Sequence, residues 1–272
     1  MPREFSDSRA VPNEYHCDQH KNFQYHTLRS PKCSGMMGFK KCQESHLQNE
    51  PSQDSLSLIW GESQIVAVLC DGVSQSFYGN LAAYEVSTQL SRYLWDNRNR
   101  CVSAHEVTMF LNSLQKEIAT LVQRQQLPEN LPPIVRNVLE KRREYGSETV
   151  LAACVIETQR SFADVYVLGN IRVTWRGKGD TSRTRVLPDR ERWSSKHGCK
   201  GIPEVRYWHI QPFISLSLLS DGLAEVFPSG IWNASKFKSL CQIEQSSHDD
   251  DIAVAYFERK LTFLEKHLHR NY

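Results

Sequence analysis

The strongest constraint on the fold is a series of apolar runs that follow one another too closely for helices to connect them. Runs typical of β-strands lie at 149–157, 163–169, 171–175, 205–210 and 213–219. Parallel neighbouring strands need a crossover of about a dozen residues or more, which most of these short connections do not provide. The spacing therefore predicts sheets that are mainly antiparallel.

Helical and strand patterns flank this series. Runs at 56–60 and 65–70 predict a β-hairpin, and residues 79–95 have helical spacing of their apolar positions. Ser103 and Glu106 form a capping box that opens a second helix, whose apolar stripe continues to Val122. A short helix at 134–143, a strand at 252–257 and a helical tail from about Arg259 complete the pattern. We expect one α+β domain in which two packed sheets carry helices on the outside.

Residues 1–50 differ from the rest of the chain. They are polar, rich in His, Ser and Asn, and lack a sustained periodicity, which predicts a loop-like or partly ordered extension before a domain at 51–272. Zinc is an alternative for the extension, but its His and Cys residues lack the tight pairs of zinc sites. Only Cys17 and His20 come near such a spacing. We expect an arm that covers the domain.

The composition excludes several classes of protein. Hydrophobic residues make up 40% of the 272 residues and the net charge is +2, which excludes a disordered chain and gives no indication of a nucleic-acid partner. No apolar run approaches the roughly 20 residues of a membrane helix, and the first residues lack the apolar core of a signal peptide. The scattered cysteines are typical of reduced thiols in a cytoplasmic protein.

Three acidic sites stand at the ends of apolar runs. Asp71-Gly72 follows 65–70, Asp221-Gly222 follows 213–219, and the aspartates 249–251 precede 252–257. A single Asp-Gly pair is typical of a turn. The ends of neighbouring antiparallel strands lie side by side, however, so these carboxylates can converge, and converging carboxylates repel unless a cation neutralises them. Oxygen-only ligands favour Mg²⁺ or Mn²⁺ over zinc.

Together these stretches resemble the metal-dependent serine/threonine protein phosphatases of type 2C, the PPM family, and compact bacterial members in particular. The resemblance covers about residues 50–258, and Pro51–Leu56 is similar to the segment that opens the family's fold. The matching stretches occur in the family's order: VAVLCDGVSQSFYGNLAA, YGSETVLAACVIE, VLGNIRVTW, LSLLSDGLAEV and DDDIAVAYF. The resemblance implies a four-layer α-β-β-α sandwich with a centre for two Mn²⁺ or Mg²⁺ ions at one end.

The resemblance also implies a role for each acidic residue. Asp71 would bridge both ions, with the Gly72 carbonyl completing one coordination shell. Asp221 and Asp250 would bind one ion directly, and Asp54 would act on the other through water, so Asp71 and Asp54 are the expected catalytic residues. Of the aspartates at 249–251, Asp250 matches the first residue of the family's Asp-Asp-Ile segment, and strand alternation separates its side chain from those of its two neighbours.

The chain departs from the family pattern at two places. Asn170 replaces a carboxylate that helps to hold a weaker third ion, although Glu225 stands where a second carboxylate for that ion is usual. The arginine that binds substrate phosphate, a few residues before the Asp54 position, has no match. The nearest cationic candidates for phosphate binding are His46, Lys40 and Lys41.

The leading expectation is therefore an enzyme that hydrolyses phosphoserine or phosphothreonine in proteins with a water activated by two metal ions. Its expected partners are a phosphorylated protein substrate and a cognate Ser/Thr kinase in signalling, with neither nucleic acid nor membrane. A pseudophosphatase that binds phosphoproteins or a kinase without turnover is the main alternative. A nucleic-acid-binding protein using the basic stretch 172–200 is weaker, because few aromatic residues accompany its charges.

Overall fold

The structure is a computed structural model that describes residues 12–177, 182–188, 190–226 and 250–260, without the side chains of residues 224–226. The strands are β1 Asn13–His16, β2 Phe23–Arg29, β3 Cys33–Lys40, β4 Asp54–Trp60, β5 Gln64–Gly72, β6 Glu148–Glu157, β7 Phe162–Leu168, β8 Arg172–Gly177, β9 Ser182–Arg185, β10 Arg192–Ser194, β11 Gly198–Lys200, β12 Arg206–Ile210, β13 Phe213–Leu219 and β14 Ile252–Arg259. The helices are α1 Gln43–Leu47, α2 Gly79–Asp96, α3 Ala104–Ser113, α4 Gln115–Arg124, α5 Pro133–Tyr145 and α6 Asp221–Val226.

Two antiparallel sheets form the centre of the molecule, as the strand spacing predicts. The first sheet has the order β1-β4-β5-β6-β7-β12, and the small β10–β11 hairpin also pairs with β6. The second sheet has the order β2-β3-β14-β13-β8-β9. Every pairing is antiparallel, including the predicted β4–β5 hairpin. The prediction of an α+β sandwich is confirmed.

Alternate residues of the central strands face different layers. On β5, Ala67 and Leu69 pack against the second sheet, whereas Val66, Val68 and Cys70 pack against the helices. Because both faces of β5 are covered, neither face carries polar side chains, and the sequence of β5 is therefore continuously apolar. On β14 the inner residues are small or aromatic, and the outer residues contribute to a separate cluster with Leu223 of α6.

Helices α2, α3 and α4 cover the outer face of the first sheet. The predicted capping box is present, since Ser103 accepts from the Glu106 amide and Glu106 accepts from the Ser103 amide. The stripe that predicts one helix to Val122 forms two, which meet at Leu114, yet Leu114 and Val122 pack into the same cluster. The predicted tail after Arg259 lies outside the described residues, and no helix in the described part of the chain is long and apolar enough to cross a bilayer.

The loop interpretation of residues 1–50 is wrong for residues 13–47. Strand β1 pairs with β4, and β2–β3 extends the second sheet by pairing with β14, so this segment contributes to both sheets. Its strand pattern is weak because β1 and β2 are edge strands with an exposed face. Glycines dilute the pattern of β3, and at Gly35 a Cβ would lie 2.6 Å from the Phe257 ring. Close packing against that ring accounts for a glycine at this position.

Candidate metal centre

Two of the predicted site residues face each other at one end of the first sheet. Asp54 begins β4 and Asp71 lies near the end of β5, where the two residues are direct partners in the strand register. Opposed residues in an antiparallel pair project from the same face with Cβ atoms about 5 Å apart. Asp54 is only 1% exposed, so the strand pairing itself brings one carboxylate into a buried position beside the other.

The second sheet brings its aspartates to the same end of the sandwich. Asp221 starts α6 directly after β13, and Asp250 lies just before β14, the neighbour of β13. Gly222 allows the two segments to meet, because a Cβ there would lie 2.3 Å from the Asp251 carbonyl oxygen and 3.1 Å from the Asp250 Cβ. The predicted residues therefore come from both sheets and from segments far apart in sequence.

The electrostatics confirm that these carboxyl groups are close together. Burial raises the pKa of Asp54 well above its usual range, and the charges of three other aspartates raise it further: Asp251, Asp250 and Asp221. Burial likewise raises the pKa of Asp71, followed by the charges of Asp54, Asp221 and Asp250 and a hydrogen bond with the Asp221 carboxyl group. One oxygen of Asp54 is buried without a hydrogen-bond partner among the described residues. Such a cluster favours a cation.

The donor set fits a hard divalent ion. It consists of carboxylate oxygens and main-chain carbonyls, the ligands that Mg²⁺ and Mn²⁺ prefer. Over the described ranges, no three acidic, histidine or cysteine side chains form a ready-made coordination group. The fit to a divalent ion therefore rests on the oxygen chemistry of the donors.

Gly72 lies where two main-chain segments touch. A Cβ at this position would be 2.4 Å from the Gly79 carbonyl carbon and 2.8 Å from the Asn80 nitrogen. The end of β5 therefore packs backbone to backbone against the start of α2. The Gly72 amide also donates to the Gln53 carbonyl oxygen at 3.1 Å. These contacts fix the main chain next to Asp71. They provide a rigid mount for the carbonyl that the resemblance assigns to an ion.

Asp251 has a role that the sequence does not reveal. Its carboxylate is 3% exposed and accepts from the Cys42 amide at 2.7 Å, the Gln53 amide at 2.6 Å and the Ser52 hydroxyl at 3.1 Å. It thereby ties the segment before β4 to the start of β14. Asp250 is exposed instead, and its carboxylate accepts from the Asp251 amide at 2.8 Å. Asp249 lies outside the described residues.

The expected third-ion residues are only partly placed. The Asn170 amide donates to an Asp221 carboxylate oxygen at 2.8 Å, so this side chain does reach the cluster. It acts there as a hydrogen-bond donor, a role opposite to that of the carboxylate it replaces. Glu225 belongs to α6, but its side chain lies outside the described residues.

The three cationic candidates differ in their surroundings. Lys41 is 6% exposed, and its ammonium group donates to the carbonyl oxygens of His20 at 3.0 Å and Glu50 at 2.6 Å. Those bonds join two segments of main chain, which is a structural role. His46 is exposed on α1, and Lys40 ends β3 opposite Ile252. Phosphate binding by His46 or Lys40 stays a prediction.

Comparison with known proteins places this geometry in a known fold. No family model matches the chain, and no curated protein matches it by sequence. Among solved structures, RsbX in complex with magnesium superposes with a TM-score of 0.54 at 10% identity, over 87% of this chain and 100% of that chain. The fold is that of the type 2C phosphatases.

Two further structures agree with this assignment. The serine-threonine phosphatase 2C from Toxoplasma gondii gives a TM-score of 0.51 at 13% identity, covering 92% of this chain and 100% of its own. Stp1, a serine/threonine phosphatase from Staphylococcus aureus, gives 0.51 at 12% identity, covering 88% and 95%. At these identities the likeness establishes the fold, and the activity has to be argued from the site.

Proposed function

We propose that this protein is a metal-dependent phosphatase that hydrolyses phosphoserine or phosphothreonine in a protein substrate. One observation carries the proposal: strand pairing sets Asp54 opposite Asp71, and burial, followed by the charges of neighbouring aspartates that include Asp221 and Asp250, raises the pKa of both carboxyl groups. Such mutual repulsion destabilises the fold. A protein retains it where a bound cation offsets it, and in this fold that cation serves phosphate chemistry.

The ions would be held by the residues that the two sheets bring together. Asp71, the Gly72 carbonyl, Asp221 and Asp250 are the proposed direct ligands, and Asp54 acts through water. Two Mg²⁺ or Mn²⁺ ions, when bound, supply a water of lowered pKa and positive charge that offsets the phosphoryl oxygens.

The chain's own residues position and orient these groups. Strand pairing holds Asp54 opposite Asp71, and the Asn170 amide fixes one oxygen of Asp221. The three hydrogen bonds to Asp251 hold the segment that leads into Asp54. The carboxylates are thus pre-organised before substrate arrives, which spares reorganisation during the reaction.

A pseudophosphatase is the second candidate, and one observation favours it. Asn170 places an amide donor on Asp221 where the family carries a carboxylate. That contact stabilises Asp221 without a cation, as expected in a protein that only binds. The proposal of an enzyme rests on Asp54 and Asp71, whose pKa values are raised by burial and by neighbouring carboxylates even though the Ser220 hydroxyl donates to Asp54.

Hydrolysis of two substrates tests the proposal directly. We expect the full chain to hydrolyse p-nitrophenyl phosphate and a phosphothreonine peptide with Mn²⁺ or Mg²⁺, and to stop when EDTA is added. Asp71→Asn should be inactive, whereas Asp96→Asn, the same change at an exposed position of α2, should retain full activity. Full activity in EDTA would contradict the metal dependence of the proposed enzyme. No turnover with either ion, while Mn²⁺ still binds, would contradict the enzyme and support the pseudophosphatase.

A further inference from the structure

A groove runs along one side of the sandwich, between the last strand of each sheet. Strand β9 ends the second sheet and pairs only with β8 among the described strands, and β12 ends the first sheet and pairs only with β7. The space between them has a volume of about 460 Å³. We call it the lateral groove; its walls are residues of β8–β9 and of β12 with Gln211 and Pro212.

The register of the strands determines which side chains face the lateral groove. Arg183 lies opposite Trp175 and Arg185 opposite Val173, so both arginines share the face that looks toward the other sheet. Trp208 on β12 occupies the facing wall, and the Arg185 guanidinium lies over its ring at 5.6 Å from the centroid. Both tryptophans pack partly against the inter-sheet core. The groove therefore has a tryptophan on each of two facing walls and two guanidinium groups beside them.

The charge of the lateral groove is positive. None of its described lining residues is acidic. The His209 ring is balanced from outside the lining by Asp164, which lies 2.8 Å away and also accepts from the Tyr207 hydroxyl. Arg183 and Arg185 form no ion pair with any residue in the described part of the chain. Among the described residues, these two arginines give the groove its positive charge, and that charge favours an acidic ligand.

The backbone of β9 favours a ligand in extended conformation. All four residues of β9 are exposed, and the strand pairs on one side only within the described structure. An unpaired edge offers a row of amide and carbonyl groups to an added strand, the mode called β-augmentation. Single-stranded nucleic acid also stacks on aromatic residues and pairs with arginine. It has no peptide backbone, however, and cannot add a strand to the edge of β9.

One end of the groove lies near the candidate metal centre. Arg185 is opposite Val173, three residues after Asn170, whose amide contacts Asp221. Three residues of chain span at most about 11 Å. A peptide lying along β9 would therefore lead toward the aspartate cluster.

We propose that the lateral groove binds an extended acidic segment of the protein substrate, next to the phosphorylated residue that enters the metal centre. The identification of this segment as part of a substrate rests on the proposed function. The binding itself requires only the groove.

Fluorescence anisotropy with a fixed probe tests the binding. The probe is a fluorescein-labelled ten-residue peptide of alternating Glu and Val, without phosphate, titrated with the full chain in EDTA so that turnover plays no part. We expect saturable binding that weakens about tenfold in Arg183→Glu/Arg185→Glu and is largely lost at 0.5 M salt, because the contacts are exposed charges. The control Lys116→Glu/Arg124→Glu makes the same charge change on α4 and should weaken binding less than twofold.

The outcomes separate the groove from the enzyme. No saturable binding, an equal loss in both double variants, or tighter binding of a ten-residue oligothymidylate would overturn the groove. If the variant changes its melting temperature, Arg183→Gln/Arg185→Gln replaces it, with an expected loss of about threefold; no loss there overturns the groove as well. p-Nitrophenyl phosphate is too small to reach the groove, so its hydrolysis reports on the proposed function alone. Hydrolysis that fails while peptide binding follows the expected pattern refutes the enzyme and supports the groove.

Discussion

Two regions of the first sheet each contain an aspartate that is at least partly buried, and the two aspartates have opposite kinds of neighbour. Asp164 is 7% exposed on β7, opposite Val155 of β6, and receives hydrogen bonds from the Tyr207 hydroxyl and the His209 ring. Asp71 lies opposite Val150 of the same strand, five residues or about 17 Å away. Desolvation by the surrounding protein raises its pKa, and its neighbours, which are other carboxylates, raise the pKa further.

The difference shows that the chain can satisfy a buried carboxylate where only structure requires it. Asp251, within the metal end itself, is satisfied in the same way by three donors. The unsatisfied oxygen of Asp54 and the repulsion around Asp71 are therefore a property of the site, because a purely structural acid is normally paired. The contrast between acids surrounded mainly by hydrogen-bond donors and acids surrounded mainly by other carboxylates underlies the following predictions.

The largest effect is expected at Asp71. Asp71→Asn should lower turnover of p-nitrophenyl phosphate by at least about 10³-fold, because the ion-binding cluster loses its central anion. The metal-free variant should melt at the same or a higher temperature than wild type, because one source of repulsion is gone. Turnover is measured with saturating Mn²⁺ and melting in EDTA. Unchanged turnover would make Asp71 a simple turn residue.

Asp250 and Asp251 should separate activity from stability. Asp250→Ala should reduce turnover by at least about 10²-fold with little change in stability, because an exposed ligand is lost. Asp251→Ala should instead lower the free energy of unfolding by about 3 kcal/mol, because three buried donors lose their acceptor. Turnover and urea denaturation of both variants check this pair. The reverse assignment would show that the register before β14 is misread.

A smaller effect is expected at Asn170. Asn170→Asp replaces the donor to Asp221 by another carboxylate. We expect the Mn²⁺ concentration for half-maximal rate to fall about threefold to tenfold, while the metal-free protein becomes less stable through added repulsion. A metal titration of the rate that does not move would place Asn170 outside the reach of any ion.

The smallest effect is expected at the hydrogen-bonded pair of Asp164 and His209. The hydrogen bond with Asp164 raises the pKa of His209 above its usual value. A raised folded-state pKa stabilises the fold fully below the unfolded value of about 6.5, and the contribution is lost as pH rises through the folded value. Wild type should thus lose slightly more stability than His209→Asn between pH 6 and 8 in urea denaturation. Identical pH profiles would mean that the pair carries no charge.

The features that the sequence predicts correctly are those encoded locally. The capping box of Ser103 and Glu106 lies within four residues, and strands β6, β7, β8, β12 and β13 show in their apolar runs. The short strands β9, β10 and β11 have no such run, and the sequence does not predict them. Asp54, Asp71 and Asp221 are predicted as site residues because each stands beside such a run or within a stretch resembling a known family, and their binding of an ion stays a prediction. Local patterns suffice where an element is buried on both faces or ends in a distinct signal.

The features that the sequence does not predict depend on distant partners. Strands β1–β3 appear polar or rich in glycine until β14 and the Phe257 ring are brought against them. The three donors to Asp251 lie some 200 residues before it, so no local signal separates it from Asp250. The lateral groove likewise brings together Trp175 and Trp208 from different sheets.

Binding of Mn²⁺ to the metal-free chain tests the central claim most directly, because the repulsion among the aspartates must be relieved by the ion itself. Titration calorimetry should show two ions bound per chain, with a rise in melting temperature that grows with Mn²⁺ concentration. Asp71→Asn should lose this binding, and Asp96→Asn should keep it. Wild-type protein that binds no Mn²⁺ at millimolar concentration, or that binds it equally well as Asp71→Asn, would contradict the account.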